Sequence, residues 1–506
     1  MAADLDLVEL SLKINSKLPP QLEKAVERNV VLRIGWTSSG DQVPKNGELG
    51  LCPNLPPKSK VRSLGVLGSF VAAFGKGGTY THQGEIGSFF GAANDGNILT
   101  CERNAADYTG FRMENGRITI LDGVGNNAGY MIKGGTIVIR GDAGSRIGSG
   151  MEGGLIVVHG DVGPDPGAGM TGGRIIINGR CPSPPPGVAL RPLKATEVKE
   201  INLELKDHDL QIPADAVCLV CDGTKGDFTS RKCGTDFSSI SVVSNDNEHR
   251  LHGTTDTITL IGERGGEGDA LALPIPMLPM LDSGKGAKIL HPCLVKSEPR
   301  DIDILLLDAE NLTMSGKWLS SAAGFAIDLA SLPALNAEAM EGLLVALRSM
   351  CGLDNPFFLI HNLSHTEYLH KTAKLHGADA AISSLDDGTG TPAAAALPII
   401  GRAAAAILDG TECEAAIILP WTADHNDLAI ISSSGIGFAV SKPSDELEQW
   451  ISSLEAGLSN HLSRVGLSSI DELSRSNLRA NDYDTAAISG IRMAGYDRPL
   501  PHWFAR

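Results

Sequence analysis

The chain has 506 residues, 42% hydrophobic and 20% charged, which is too long for one hydrophobic core and balanced like a folded protein, so two or three domains are expected. A formal charge of −17, from 43 basic and 60 acidic residues, argues against nucleic acid or an anionic membrane as the main partner. Nine scattered cysteines, an acidic start and no apolar run of about 18 residues point to a reducing cytoplasm, without disulfide framework, signal or membrane span.

Residues 1–64 read as a cap segment: short helices over 5–16 and 20–28, a strand over 30–34, and a polar, proline-containing loop over 40–60. A stack of repeats leaves unpaired edges at its ends, so covering the first repeat is the expected role of this segment.

Residues 65–180 carry one pattern several times over. Its clearest copies are GNNAGYMIKGGTIVIRGDA, GSRIGSGMEGGLIVVHGDV and GPDPGAGMTGGRIIINGRC, in which Gly125, Gly144 and Gly163 recur every 19 residues. The pairs Gly134-Gly135, Gly153-Gly154 and Gly172-Gly173 and the runs 137–139, 156–158 and 175–177 keep that register, and fainter copies lie upstream around Gly110, Gly87 and Gly68. A short β-branched strand in every copy of a fixed period is a solenoid signature, and no single coil buries its own apolar face. The expectation is a right-handed parallel β-helix whose glycines are architectural, taking positive φ at the corners. A phosphate cradle would need a strand before the glycines and a helix after them.

This repeat resembles the GXGXG β-helix domain of the glutamate synthase large subunit, found also in a subunit of formylmethanofuran dehydrogenase and in its bacterial formyltransferase/hydrolase relatives. The resemblance implies fold more than reaction, because in those families the β-helix is spacer and scaffold.

The run Cys181-Pro-Ser-Pro-Pro-Pro-Gly187 stops the repeats, since successive prolines cannot donate to a ladder. Residues 181–249 then read as a connecting segment with a helix over 195–203 and a strand over 216–220. Cys218 and Cys221, with Cys233 and His249 or His252, make half of a zinc pattern. A spacing of three on a strand puts the first two on opposite faces, so no metal site is expected. His361, His365 and His370 lie too unevenly spaced for one helix face and read as surface histidines.

Residues 250–506 alternate strand and helix: strand 302–307, helix 337–349, strand 357–360, helix 366–375, strand 380–383. That alternation predicts parallel βα units forming part of a barrel of the TIM type, so the fold class is a β-helix followed by an α/β domain. A flavin phosphate wants backbone N–H groups from glycine-rich loops at strand ends. Asp387, Gly388, Thr389 and Gly390 form one such loop; Ser434, Gly435 and Gly437, after the apolar run 428–431, form another. Each also reads as a tight βα turn.

The run His376–Pro392 and the tail His461–Gly495 resemble the FMN-binding domain of glutamate synthase, and the resemblance implies FMN as cofactor. Other family features are missing. There is no cysteine after Cys413 to build the family's iron–sulfur cluster, so none is expected in the C-terminal half. The strand 357–360 has no lysine facing substrate, and residue 2 is Ala rather than a glutaminase cysteine. Two readings stay open. One is a glutamate-synthase-like oxidoreductase subunit working with separate glutaminase and electron-donor chains. The other is a non-catalytic β-helix scaffold, as in formylmethanofuran dehydrogenase. In both, other subunits are partners, through the repeat face and the tail 496–506, whose Arg498, Trp503 and Phe504 are of types enriched at interfaces.

Overall fold

The computed structural model describes residues 5–206, 211–223, 236–244, 258–260, 271–385, 388 and 390–496. The chain divides into two compact units: Met1–Asp227 with Ala309–Lys317 and Ala334–Met350, and Phe228–Asp308 with Trp318–Pro333 and Cys351–Arg506.

The first unit is built on one large, mainly parallel sheet. Strands Lys60–Leu67, Thr79–Gln83, Asp95–Cys101, Asn115–Ile120, Thr136–Ile139, Leu155–Val158 and Arg174–Ile177 pair in chain order. Ile118 faces Ile137, Ile137 faces Ile156 and Ile156 faces Ile175, so the 19-residue period is the register of the sheet. These isoleucines, with Ile120, Ile139, Val158 and Ile177, enter one core. Val138, Val157 and Ile176 point the other way, under Ile201 of the helix Ala195–Glu204 and Leu205 at its end. Burial on both faces explains why the last three runs are continuously apolar. A second ladder of parallel bridges joins Leu67, Ile86, Ala105, Val124, Ala143 and Val162, and its side chains share the first core.

Side-chain oxygens repeat the same translation. Asp107, Asn126, Asp142 and Asp161 accept from the backbone N–H of Asn126, Ser145, Asp161 and Arg180, each 19 residues on, at 2.6–2.9 Å. The corners depart from the glycine-only expectation. Phe70, Phe89, Tyr108, Asn127, Arg146 and Asp165 form a column in which every residue has φ of 55–61° and none is glycine. The strain is about 1–2 kcal/mol for each residue, and at Phe70, Phe89 and Tyr108 stacking offsets part of it. The rings of Phe70 and Phe89 lie 4.5 Å apart and those of Phe89 and Tyr108 4.8 Å apart. Glycine is required where the neighbouring repeat comes close: at Gly154, φ +81°, a Cβ would stand 2.8 Å from the carbonyl oxygen of Gly135.

The ends also differ from expectation. One helix, Leu5–Glu27, replaces the two short ones, with Pro19 and Pro20 inside it. Its buried face of Leu18, Leu22 and Ala25 holds it together across the missing N–H donors. The loop 40–60 contains a strand, Lys45–Glu48, paired with Lys60–Leu67. Beyond the prolines, Val217–Cys221 adds antiparallel to Arg174–Ile177, and Val188–Pro192 adds antiparallel to it in turn. Cys218 and Cys221 fall in different packing clusters, on opposite faces of their strand. Cys233, His249 and His252 lie outside the described residues, among which no group of three metal-ligating side chains occurs.

Ala309–Lys317 is tied into this unit by Arg112, which donates through Nε to the carbonyl of Ala309 at 2.6 Å. Ala334–Met350 is tied by Ser69, which donates to Glu338 at 3.0 Å, and by Asn15, which donates to Ser349 at 3.0 Å.

The second unit contains a closed parallel barrel, where part of a barrel was expected. Its eight strands are Met277–Leu281, Leu294–Val295, Ile304–Leu307, Gly324–Asp328, Phe357–Asn362, Ala380–Ser384, Glu414–Leu419 and Phe438–Ser441. The first three are joined without helices, through residues 282–293 and 296–303, which hid the first two from a search for βα alternation, while the third was expected over 302–307. Leu278, Leu294, Ile304, Leu306, Ala326, Phe358, Ile360, Ile382, Phe438 and Val440 fill the interior. Beside the third strand, Arg300 grips the fully buried Asp303 through Nε and Nη2, at 2.8 and 2.6 Å. Among the described residues, no helix is long and apolar enough to cross a membrane.

Candidate functional site at the carboxyl ends of the barrel strands

Side chains alternate along a strand, so the polar residue that follows each buried pair faces the mouth of the barrel. Leu306 is followed by Asp308, Ala326 by Asp328, Ile360 by Asn362, Ile382 by Ser384 and Val440 by Lys442, while Leu294 is followed by Lys296. This is the end at which parallel barrels carry their chemistry. The pairing of Leu307 with Ile327 brings Asp308 and Asp328 side by side on adjacent strands. Burial pushes the Asp328 carboxyl up, the N–H of Ala330 holds it back, Asp308 pushes it further and Lys296 opposes. The mouth thus places paired carboxylates near a cation, suited to holding a polar or charged group.

The lysine implied for strand five is absent there. Phe358 and Ile360 fill the core, and the next residue on that side is the amide Asn362. Lys296 and Lys442, both exposed, are the cations one step past strands two and eight. Sequence reading passed over Lys296 because its strand, Leu294–Val295, is two residues long.

The two expected phosphate loops do not lie at one end of the barrel. The strand Ala380–Ser384 runs into the first, so that loop follows a carboxyl end; Gly388 and Gly390 have φ of +70° and +73°, while Asp387 and Thr389 lie outside the described residues. The second is elsewhere. The apolar run 428–431 is not a strand but part of the helix His425–Ser433, and Ser434, Gly435 and Gly437 lead into the amino end of strand eight. Asp424 caps that helix, which turned the apolar run from strand to helix. The N–H groups of this loop are already committed: Ser434 to Ile430, Gly435 to Ser432, Gly437 to Ala415.

The carboxyl end of strand seven, where a barrel commonly holds phosphate, is occupied by carboxylates. Asp427 donates its N–H to Asp424 Oδ1 at 2.9 Å, and Asp424 donates its own to Asp427 Oδ2 at 3.0 Å. Trp421 Nε1 also donates to Asp427 Oδ2, at 3.1 Å. Past strand eight the chain reads Lys442-Pro-Ser-Asp-Glu446, without glycine. The described residues at the ends of strands seven and eight therefore do not fit a flavin phosphate. Beside Trp421 opens a cavity of about 520 Å³, lined among others by Asp236, Phe237, Trp421, Asp424, Asp427 and His461.

No protein-family model matches the sequence, and no curated protein matches it. Several solved structures align with parts of the chain, two of them as follows. The flavin-binding domain of baker's yeast flavocytochrome b2 aligns with 11% identity and a TM-score of 0.35, covering 48% of this chain and 76% of that one. A chain of the formyltransferase/hydrolase complex from Methylorubrum extorquens, in complex with methylofuran, aligns with 24% identity and a TM-score of 0.27, covering 39% of this chain and 81% of that one.

Proposed function

We propose that this chain is a structural subunit of a multi-chain assembly in a reducing cytoplasm, in which a right-handed parallel β-helix forms the rigid scaffold and the barrel is a descendant of a flavin-binding domain. The scaffold reading rests on the two parallel ladders of 19-residue period that share one core. Repeats of that kind offer a long, stiff surface to partners. The observation that carries the loss of flavin chemistry is the placement of Ser434, Gly435 and Gly437 at the amino end of strand eight, with three N–H groups of that loop bonded within the chain.

A glutamate-synthase-like oxidoreductase subunit, served by separate glutaminase and electron-donor chains, is the second reading. It is supported by the position of Gly388 and Gly390 after a carboxyl end and by the Asp308–Asp328–Lys296 group at the mouth. Native mass spectrometry and a visible absorption spectrum of protein isolated from its source separate the two. Co-purifying chains without flavin absorption support the scaffold. Stoichiometric FMN, or a chain that remains a lone monomer, would remove it.

A further inference from the structure

We propose that the cavity beside Trp421 takes an organic cation, an ammonium or guanidinium group, at the barrel end where related architectures offer an anion site. The cavity, of about 520 Å³, has the size of a small-molecule site and is formed by three separate pieces of chain: residues 236–242, the stretch 421–430 and His461 of the helix Leu447–Arg464. Among the described residues, neither lysine nor arginine lines it.

Three carboxylates meet there, and each uses one oxygen to hold local structure. Asp236 Oδ1 accepts from the N–H and hydroxyl of Ser238 at 3.1 and 2.5 Å. Asp424 Oδ1 accepts from Asp427 N–H at 2.9 Å, and Asp427 Oδ2 accepts from Trp421 Nε1 at 3.1 Å and Asp424 N–H at 3.0 Å. The second oxygen of each has no bond among the described residues, and Asp236 and Asp424 are exposed while Asp427 is buried. His461 Nε2, in contrast, is buried without a hydrogen-bond partner among the described residues.

Negative charge collects here, with no lysine or arginine among the described lining residues. Burial pushes Asp427 up to about 6, and Asp424 and Asp236 add to it. The walls suit a cation as well: Phe237 and Trp421 meet edge to face with ring centroids 5.3 Å apart. An aromatic face attracts a cation by about 0.5–2 kcal/mol. The remaining polar lining, Ser238, Ser241, Thr422 and Asn426, offers oxygens to N–H donors. The same cation chemistry comes from a small amine or from a Lys or Arg side chain of a partner protein.

Calorimetric titration of the full chain tests this with three probes: agmatine, the capped tripeptide acetyl-Gly-Arg-Gly-amide and inorganic phosphate. One agmatine or peptide bound per chain with a sub-millimolar Kd, and no phosphate binding, is the expected result. Tighter agmatine points to a small molecule, and tighter peptide to a partner side chain. Asp236→Asn, outside the helix cap, should weaken binding at least tenfold. In the unaltered chain, agmatine should shift the Trp421 indole N–H resonance, assigned through Trp421→Phe, so the test survives a variant that fails to fold. Phosphate binding, an unmoved Trp421 resonance at millimolar agmatine, or a folded Asp236→Asn chain of unchanged affinity would overturn the proposal.

Discussion

Arg112 Nη2 stands 2.6 Å from the Oε1 of Glu310, with the arginine side chain 1% exposed and the glutamate 69% exposed. A second carboxylate, Glu152, lies 3.1 Å from Nη1. The cation is buried, and its partners reach it from solvent. Either carboxylate alone neutralises the guanidinium, so Glu310→Gln and Glu152→Gln are each expected to cost about 1 kcal/mol or less. The double variant strands a buried charge, which costs about 3–5 kcal/mol. Urea denaturation of the four chains measures the coupling, and strict additivity would contradict this account.

Two glycines of similar φ should respond differently. At Gly154 (φ +81°) an added Cβ would meet the Gly135 oxygen at 2.8 Å, whereas at Gly169 (φ +69°) it would meet nothing within 4 Å. Gly169→Ala is expected to cost about 1–2 kcal/mol, from backbone strain alone. Gly154→Val adds an inter-repeat clash and is expected to cost about 3 kcal/mol or more. Thermal melts rank the pair.

Burial holds His82 down to about 4, and it does the same to His361 and His370, which are half-buried and buried rather than the surface histidines expected from their spacing. Unfolded histidine titrates near about 6.5, so between these values the unfolded chain binds more protons and stability falls as pH falls. Asp427, raised to about 6, acts in the opposite direction over about pH 4–6, as do the raised carboxyls of Asp328 and Glu414, against seven lowered histidines among the described residues. The urea midpoint should therefore drop on acidification from about pH 7 to 4.5. His82 is the clearest contributor: its Nδ1 lies 2.8 Å from the Ser63 hydroxyl and its Nε2 3.2 Å from the Glu85 carbonyl. A carbonyl only accepts, so Nε2 carries a proton, and the burial that holds the ring down to about 4 leaves Nδ1 bare to accept from Ser63. Nitrogen NMR should find that tautomer down to about pH 5, and His82→Gln should flatten the pH dependence.

Asp303 is fully buried, and Arg300 also donates to the carbonyls of Ala287 and His291, at 3.2 and 3.0 Å. Asp303→Ala leaves that guanidinium without its counter-charge while its other bonds persist. A loss of about 3–5 kcal/mol is expected in denaturant titrations, larger than for the exposed pair Lys371–Glu367.

The repeat was legible because its period is written in residues that have one physical use each. The isoleucines at 118, 137, 156 and 175 meet in the core, and the glycines at 135, 154 and 173 adopt positive φ. The aromatic corner column was not legible, because Phe70, Phe89 and Tyr108 take a conformation that sequence rules reserve for glycine, and their stacking is a contact between repeats that the sequence does not display. At the barrel mouth, Asp308 was visible as the end of an apolar run, but its neighbour Asp328 depends on strand pairing. The run 428–431 failed for a different reason: four apolar residues fit a buried strand or a buried helix, and the capping pair Asp424–Asp427 decides between them.

The antiparallel turn at Val217–Cys221 has a consequence for how the chain can change length. A parallel stack alone would accept another copy of itself at its open edge, end to end, without limit. Here Val217–Cys221 and Val188–Pro192 terminate the ladder in the opposite polarity. Growth is thereby confined to the interior, in whole steps of 19 residues, the spacing of Ile137, Ile156 and Ile175. Excision of one such step between Gly144 and Gly163 removes a single rung and rejoins like to like, so the stack behaves as a ruler whose marks can be added or erased while both end stops stay in place.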